Sequence, residues 1–198
     1  SSAASDVYKR QIKDKQKKQE TGIEKRRDIL EKVVNTAYLS IGSNLGDRII
    51  NIEKTKNLIL FHKMNILKSS SFYETPSWPN TKLPKYINIV LKINTDLSLP
   101  NLLLNLKNIE KSIGRIPGPR NSPRVCDIDI IDYNQKNYSI KIKKDFLIVP
   151  HPRMSVRNFV LLPLFEICNH WKHPKTKQKI TELMSKLPLS SITAIKVM

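Results

Sequence analysis

The chain has 198 residues, 39% of them hydrophobic, and a formal net charge of +18 at pH 7. This length is enough for one domain with a core of its own. No apolar run approaches the roughly 18 residues of a membrane span, and the first residues lack a signal-peptide core, so we expect no membrane partner. Two distant cysteines, Cys126 and Cys168, make no disulfide framework, which favours a reducing compartment and a cytoplasmic location.

The positive charge is open to three interpretations. Residues 1–35 carry 10 Lys and Arg against six Asp and Glu, and the remainder carries 25 against 11. A basic domain can bind nucleic acid through its phosphates, or it can attract a polyanionic nucleotide. The chain is also rich in Lys, Asn and Ile together, as expected of AT-rich coding. Most of the charge is therefore assigned to lysines scattered over the surface without a specific ligand.

The first third of the chain is predicted as a tail, a strand and a helix. Residues 1–35 form a basic, partly linker-like tail that is disordered or helical, and residues 36–198 form the folded domain. Residues 37–42 are predicted as a strand, and Asp47 as the N-cap of a helix over 49–61. The core face of this helix is predicted as Ile49, Ile52, Ile59 and Leu60, with Leu45 ahead of it.

The remaining elements complete an α+β pattern. Strands are predicted over 65–74 and 86–93, and Ser98 and Gly114 as the caps of a helix with Pro100 in its first turn. A loop over 115–124, a central strand after it, a hairpin over 138–149 and helices near 157–168 and 180–187 follow. The order strand–helix–strand–strand–helix–strand predicts the ferredoxin-like split βαβ fold, an antiparallel sheet with helices packed on it.

The central strand carries a pair of carboxylates. Because side chains two apart share a face of a strand, Asp127 and Asp129 are predicted on one face, and Ile128 and Ile130 on the other. Two such carboxylates repel each other unless a cation lies between them, and Mg²⁺ prefers this kind of ligand. An Asp-x-Asp strand alone is more often simply wetted by solvent. Arg124, just upstream, favours the metal site.

Five separated motifs then occur in one order. They are residues 40–47 (SIGSNLGD), 70–76 (SSFYETP), 86–88 (YIN), 123–130 (PRVCDIDI) and 149–153 (VPHPR). Over residues 36–185 the chain resembles the 6-hydroxymethyl-7,8-dihydropterin pyrophosphokinase family of folate biosynthesis. The resemblance implies an enzyme that transfers pyrophosphate from ATP, its co-substrate, to the hydroxymethyl group of 6-hydroxymethyl-7,8-dihydropterin, with two Mg²⁺ ions. It also implies a product that passes to dihydropteroate synthase, a monomer, and no nucleic-acid partner.

The resemblance also implies the site residues. Arg124, Asp127 and Asp129 are expected to be catalytic, and the two aspartates to bind metal. The expected ATP-binding residues are Glu110, Arg115, Arg120, Arg124, Ile130, His151 and Arg157. The expected pterin-binding residues are Thr75, Pro76, Trp78, Tyr86, Asn88 and Phe159. Without the resemblance, the arginines 115 and 120 are equally well exposed loop cations, Glu110 a surface residue, and Phe159 a core aromatic.

The sequence departs from the family's pattern at 121–122, over 116–119 and at Phe146, where some members have an arginine. Asn121 and Ser122 stand where the family often has Trp and Gly, so we expect an altered nucleotide affinity. Two other functions are also considered. An RNA-binding module of the same fold needs adjacent aromatics on its central strands, and these strands carry carboxylates instead. An inactive relative is disfavoured because Asp127, Asp129 and Asn88 are all present.

Overall fold

A computed structural model describes residues 13–18, 34–77, 80–119, 122–142 and 145–198. The chain divides into two units, Ser1–Val34 and Asn35–Met198. In the first unit, residues 13–18 are helical and exposed. Among the described residues, no helix is both long and apolar enough to cross a membrane.

The second unit consists of a main antiparallel sheet, a separate hairpin and five helices within the described ranges. The strands of the main sheet are β1 (Asn35–Ser43), β2 (Asn65–Ser69), β3 (Tyr73–Thr75), β4 (Tyr86–Thr95), β5 (Asp127–Tyr133) and β8 (Lys196–Val197). The hairpin is formed by β6 (Tyr138–Ile142) and β7 (Asp145–Val149). The helices are α1 (Arg48–Phe61), α2 (Leu99–Ser112), α3 (Asn158–Ile167), α4 (Ile180–Met184) and α5 (Leu189–Thr193), and a 3₁₀ turn covers Met154–Val156.

The strand order of the main sheet is β5-β1-β4-β3-β8, with β2 also paired to β4, and every pair is antiparallel. The predicted ferredoxin-like split βαβ arrangement is therefore confirmed. The prediction of one continuous strand over 65–74 was wrong. Ser69 faces Leu91 and Tyr73 faces Asn88, so three residues stand opposite two and the strand is interrupted. The Ser70 hydroxyl accepts the Val90 N–H at 3.0 Å within this break.

The sheet carries a core on each face. Helices α1 and α2 cover one face, where Leu39, Ile41 and Ile89 are buried. Helices α3 and α4 cover part of the other face, around Tyr38 and Ile131. Because helices cover both faces of the sheet, side chains that alternate along a strand are buried on either side. The central strands β1 and β4 are accordingly buried at most of their positions.

The predicted core face of α1 needs a correction. Ile52 and Ile59 are buried as expected, but Ile49 is 38% exposed and Leu60 50% exposed. The third buried residue is Thr55, whose hydroxyl lies 3.3 Å from the thiol of Cys126. The face turned to the sheet is centred on positions 52, 55 and 59, which have helical spacing. Ile49 and Leu60 lie at the side of this face. Leu45, ahead of the helix, is also exposed.

The predicted helix ends are mostly confirmed. Asp47 caps α1 by accepting the Ile50 N–H at 3.0 Å. Gly114 follows α2 with a φ of +97°, the left-handed conformation that favours glycine at this position. Ser98 occupies the N-cap position of α2 as predicted, and its side chain makes no capping hydrogen bond there.

Candidate active site

A cavity of about 630 Å³ opens on the sheet face opposite α1 and α2. Asp127 and Asp129 both line it, and Ile128 and Ile130 are buried in the core behind the sheet. The predicted alternation along β5 is therefore confirmed. The cavity is lined by Ser40, Gly42, Thr75, Pro76, Ser77, Thr81, Tyr86, Asn88, Arg124, Asp127, Asp129, Arg153, Val156, Arg157, Asn158, Phe159, Pro188, Ser191 and Ala194.

Two arginines neutralise Asp127. Arg124 Nη1 donates to Asp127 Oδ2 at 3.0 Å, and Arg115 Nη1 lies 2.8 Å from Asp127 Oδ1. The same Arg115 nitrogen also contacts Glu110 Oε2. This nitrogen is buried, and its carboxylate contacts are ion pairs rather than aligned hydrogen bonds. The reading of Arg115 as an exposed loop cation is therefore wrong, since it lies against the carboxylate at the edge of the cavity.

Asp129 has a partner set of its own. Arg157 Nη1 donates to Asp129 Oδ2 at 2.9 Å, and His151 Nε2 lies 3.8 Å from the same oxygen. His151 Nδ1 accepts the Arg153 N–H at 3.1 Å, which holds the ring in place. Burial lowers the pKa of His151 below its ordinary value, against the opposing effect of Asp129. The lowered pKa favours the neutral form of the ring at pH 7.

Glu110 supports the site from beneath. Its carboxylate is 2% exposed, accepts the Ile128 N–H at 2.7 Å and pairs with Lys107 Nζ at 2.9 Å. The alternative that it is an ordinary surface residue is wrong. Glu110 does not line the cavity, and its position fixes Arg115 and the start of β5. The side chain of Ile130 likewise points into the core, so any contact with a nucleotide has to come from its backbone.

The other half of the cavity is lined by the amide of Asn88, by Thr75 and by the ring of Tyr86. Asn88 Nδ2 donates to Thr75 Oγ1 at 2.9 Å, and both residues are buried. A Cβ atom added to Gly42 lies 2.8 Å from Asn88 Oδ1 and 3.4 Å from the Tyr86 ring, so only glycine admits this arrangement. Burial raises the pKa of Tyr86, which keeps its phenol neutral. The ring of Phe159 also lines the cavity, and its centroid lies 5.4 Å from the Arg157 guanidinium.

Most of the expected site residues meet in this cavity or at its edge. Trp78 and Arg120 lie outside the described residues. Sequence reasoning missed the cavity-lining residues Ser40, Gly42, Ser77, Thr81, Arg153, Val156, Asn158, Pro188, Ser191 and Ala194. Arg153 stands in the VPHPR motif and Gly42 in the SIGSNLGD motif, so both carried a signal that was not used. The stretch 188–194 lies beyond the resemblance and carried none.

The donor set suits Mg²⁺. Among the described residues, no group of three or more His, Cys, Asp or Glu side chains could hold a metal. Mg²⁺ does not require one, since it is held by one or two carboxylates with phosphate oxygens and water in its other positions. Asp127 and Asp129 share the cavity, and their oxygens already face cationic nitrogens. These two carboxylates are the residues that fit the ion.

Comparison with known proteins assigns the family. A sequence profile described as 7,8-dihydro-6-hydroxymethylpterin-pyrophosphokinase (HPPK) matches residues 38–169. The 2-amino-4-hydroxy-6-hydroxymethyldihydropteridine pyrophosphokinase of Bacillus subtilis is 39% identical over 135 residues, which cover 68% of this chain and 78% of that protein. The protein of the same name from Aquifex aeolicus is 37% identical over 147 residues, covering 74% of this chain and 89% of that protein.

Longer relatives and solved structures also resemble this chain. The folic acid synthesis protein FOL1 of Dictyostelium discoideum is 39% identical over 78% of this chain, which spans only 23% of that relative. This chain covers 20% of the length of the fungal relative from Pneumocystis carinii and 21% of that from Schizosaccharomyces pombe. The structure of Plasmodium falciparum wild-type HPPK-DHPS with pteroate superimposes with a TM-score of 0.63 at 15% identity, over 77% of this chain and 44% of that one, which shows a shared fold. Together with the profile match, these relatives establish that the chain belongs to the 7,8-dihydro-6-hydroxymethylpterin-pyrophosphokinase family.

Proposed function

We propose that this chain transfers pyrophosphate from ATP to the hydroxymethyl group of 6-hydroxymethyl-7,8-dihydropterin, in folate biosynthesis. The observation that carries the proposal is the division of one cavity into two halves. Asp127, Asp129 and three arginines form a half suited to a metal-bound polyphosphate. Asn88, Thr75 and the aromatic rings form a half suited to a flat heterocycle with donors and acceptors along one edge.

The reaction breaks and forms one bond at the β-phosphorus. The hydroxymethyl oxygen of the pterin attacks that phosphorus, the bond to the oxygen bridging the α- and β-phosphates breaks, and AMP leaves with the electron pair. The hydroxyl proton passes to solvent. Transfer of this type depends on alignment and on neutralising the phosphate oxygens, so no protein nucleophile is required.

We assign the neutralising roles to the arginines of the ion pairs. Arg115, Arg124 and Arg157 each contact a carboxylate that fits Mg²⁺, and each can turn to a phosphate oxygen when the carboxylate binds metal. Two Mg²⁺ ions held by Asp127 and Asp129 would supply Lewis-acid polarisation of the phosphate oxygens. His151 is assigned to the nucleotide and Phe159 to the pterin ring, and Arg120 and Trp78 to the same two ligands.

The wider setting is also a proposal. We propose that residues 36–198 are the catalytic domain, that residues 1–35 take no part in catalysis, and that the chain acts as a monomer. Its product would pass to a dihydropteroate synthase, an arrangement consistent with the solved HPPK-DHPS proteins of similar fold. The free, buried Cys126 and Cys168 support a reducing compartment such as the cytoplasm.

The test is product analysis with purified protein, ATP, Mg²⁺ and 6-hydroxymethyl-7,8-dihydropterin. We expect AMP and a pterin pyrophosphate in equal amounts, and no turnover in Asp127→Ala or Asp129→Ala. Glu53→Ala is the control, since Glu53 pairs with Lys56 on α1 and does not line the cavity. Formation of ADP instead of AMP, or full activity in both aspartate variants, would overturn the proposal.

A further inference from the structure

Asn44 lies at the corner after β1 and is 1% exposed. Its side-chain oxygen accepts the Arg124 N–H at 2.7 Å, and its backbone N–H donates to the Arg124 carbonyl at 3.0 Å. Both bonds hold the backbone of the residue whose guanidinium pairs with Asp127. One end of this buried amide therefore fixes the polyphosphate half of the cavity.

The other end of the same amide fixes the pterin half. Asn44 Nδ2 donates to Ser77 Oγ at 3.3 Å and to the Pro84 carbonyl at 3.2 Å. Ser77 Oγ in turn donates to the Pro84 carbonyl, which ties the two described sides of this loop together. Ser77 follows Thr75 and Pro76 directly and lines the cavity with them.

We propose that Asn44 is a positioning residue that couples pterin binding to nucleotide binding. The inference rests on the proposed function and adds a coupling element to it. Because the amide is buried and bonded at both ends, a shift of either segment leaves a buried polar group without its partner. Ser77, Pro84 and the backbone of Arg124 are therefore favoured in positions that satisfy the Asn44 amide at both ends. Coupling of this kind is reciprocal, so a nucleotide that fixes Arg124 strengthens pterin binding, and a pterin strengthens nucleotide binding.

Asn51 provides a matched control at the same corner. Its Nδ2 donates to Ser43 Oγ at 3.3 Å and to the Leu45 carbonyl at 2.8 Å, so its bonds stay within the turn. It is thus an asparagine with the same chemistry and a similar place in the chain. Neither Ser43 nor Leu45 belongs to the segments that Asn44 joins.

The experiment is isothermal titration of the full chain with 6-hydroxymethylpterin, with and without Mg²⁺ and a non-hydrolysable ATP analogue. The readout is the pterin Kd measured without nucleotide divided by the pterin Kd measured with Mg²⁺ and the ATP analogue. We expect this ratio to fall about fivefold or more in Asn44→Ala, as loss of a typical coupling free energy predicts. Asn51→Ala should keep the wild-type ratio. An unchanged ratio in Asn44→Ala would overturn the inference, since a merely structural role lowers the melting temperature without altering the ratio.

A second variant covers the case in which Asn44→Ala does not fold. Ser77→Ala removes one of the two acceptors of the Asn44 amide and leaves its bonds to Arg124 in place. It should lower the same ratio, and a wild-type ratio in a folded Ser77→Ala protein would count against the inference. Failure of the proposed function is distinct, because the wild-type protein would then bind neither pterin nor nucleotide. Tight pterin binding that does not depend on nucleotide contradicts the coupling alone.

Discussion

Gly42 is the residue at which the two halves of the site come closest in the sheet. It faces Asn88 on β4 and Asp127 on β5, the strands on either side of it. A methyl group at this position would lie 2.8 Å from the Asn88 amide oxygen, well inside van der Waals contact. Glycine at this position therefore leaves room for the amide of Asn88, in the half of the cavity proposed for the pterin, to lie close to the sheet.

Replacing this glycine should weaken pterin binding selectively. In Gly42→Ala the Asn88 amide has to move, which disturbs its bond to Thr75, and we expect the pterin Kd to rise about tenfold from one misplaced polar group. The measurement is titration with the pterin in the presence of Mg²⁺ and an ATP analogue. A pterin affinity equal to that of the wild-type protein would contradict this role.

Gly114→Ala should show the opposite behaviour. Nothing lies within 4 Å of a Cβ at Gly114, but its φ of +97° strains any L side chain. We expect a loss of about 1 kcal/mol in the free energy of unfolding, with the pterin Kd unchanged. Denaturant unfolding of both glycine variants separates the two causes. Equal stability losses in the two proteins would show that Gly42 is also a backbone requirement.

Site residues could be predicted from the sequence where a local pattern determines their position, and could not where distant contacts determine it. Asp127 and Asp129 could be placed on one face because a strand alternates strictly. Glu110 could not be recognised as buried, because a lone Glu between Lys and Ile on a helix reads as solvated until its partner, the Ile128 N–H, is known. The contacts of Asn44 with residues 33 to 80 positions away have no local signature at all.

At the scale of elements, the N-terminus of α3 and the last segment form one wall of the cavity. Asn158 Nδ2 donates to the Ser191 carbonyl at 2.6 Å, and its Oδ1 accepts the N–H of Phe159 at 2.7 Å. The segment is also held where β8 pairs with β3 and where the Met198 N–H donates to Phe72. The wall thus links the ring expected to stack on the pterin to residues 188–198.

Asn158→Ala should therefore loosen this wall. We expect the pterin KM to rise several-fold, which corresponds to the loss of about one hydrogen bond. The ATP KM should change little because the arginine–aspartate pairs stay in place. Steady-state kinetics with each substrate varied in turn makes the measurement. Asn105→Ala is the control, since Asn105 is half-buried on α2, donates to the Asn101 carbonyl and does not line the cavity. A larger effect on the ATP KM than on the pterin KM would contradict the assignment.

The turn after α3 carries a pH-sensitive contact. His173 Nδ1 accepts the N–H groups of Lys175 and Thr176, both at 3.2 Å, and burial, assisted by Lys175, lowers the pKa of its ring below 6.5. The unfolded chain then binds the proton more readily than the folded one. Stability should be fully present above about pH 6.5 and decline as the pH falls below it.

The His173→Asn variant tests this contact. The asparagine oxygen can accept the same N–H groups but does not titrate, so we expect a smaller loss of stability on acidification than in the wild-type protein. Denaturant unfolding at a series of pH values gives the comparison. Parallel curves for the two proteins would show that His173 does not contribute.

Element boundaries followed the sequence where local chemistry determined them. Asp47, Pro100 and Gly114 marked helix ends correctly because caps act over three or four residues. The break in the strand over 65–74 was missed because it depends on the Ser70 hydroxyl meeting β4, a contact between distant segments. The wall at 188–194 was missed because α5 is five residues long and buries none of them, so the sequence carries no strong core pattern there.

At the scale of the whole molecule, the charge of +18 has a local and a diffuse component. Arg124, Arg153 and Arg157 line the cavity, and Arg115 pairs with Asp127 at its edge. Lysines such as Lys141 are instead exposed on the hairpin and do not line the cavity. Only the local component is in direct reach of a bound polyphosphate. The carboxylates among these arginines disfavour an RNA backbone on the same surface.

Salt should therefore weaken nucleotide binding and leave pterin binding unchanged. Raising the ionic strength from about 0.01 M to about 0.1 M shortens the screening length from about 30 Å to about 10 Å, so the Kd of the Mg²⁺-bound ATP analogue should rise. The pterin is uncharged, and its Kd at saturating nucleotide should stay constant. Arg153→Gln should flatten the salt dependence of nucleotide binding more than Lys141→Gln does, because Arg153 lines the cavity. Equal flattening by the two variants would mean that the diffuse charge of the surface attracts the nucleotide. A single-stranded RNA that displaces the analogue would mean that the basic surface serves nucleic acid instead.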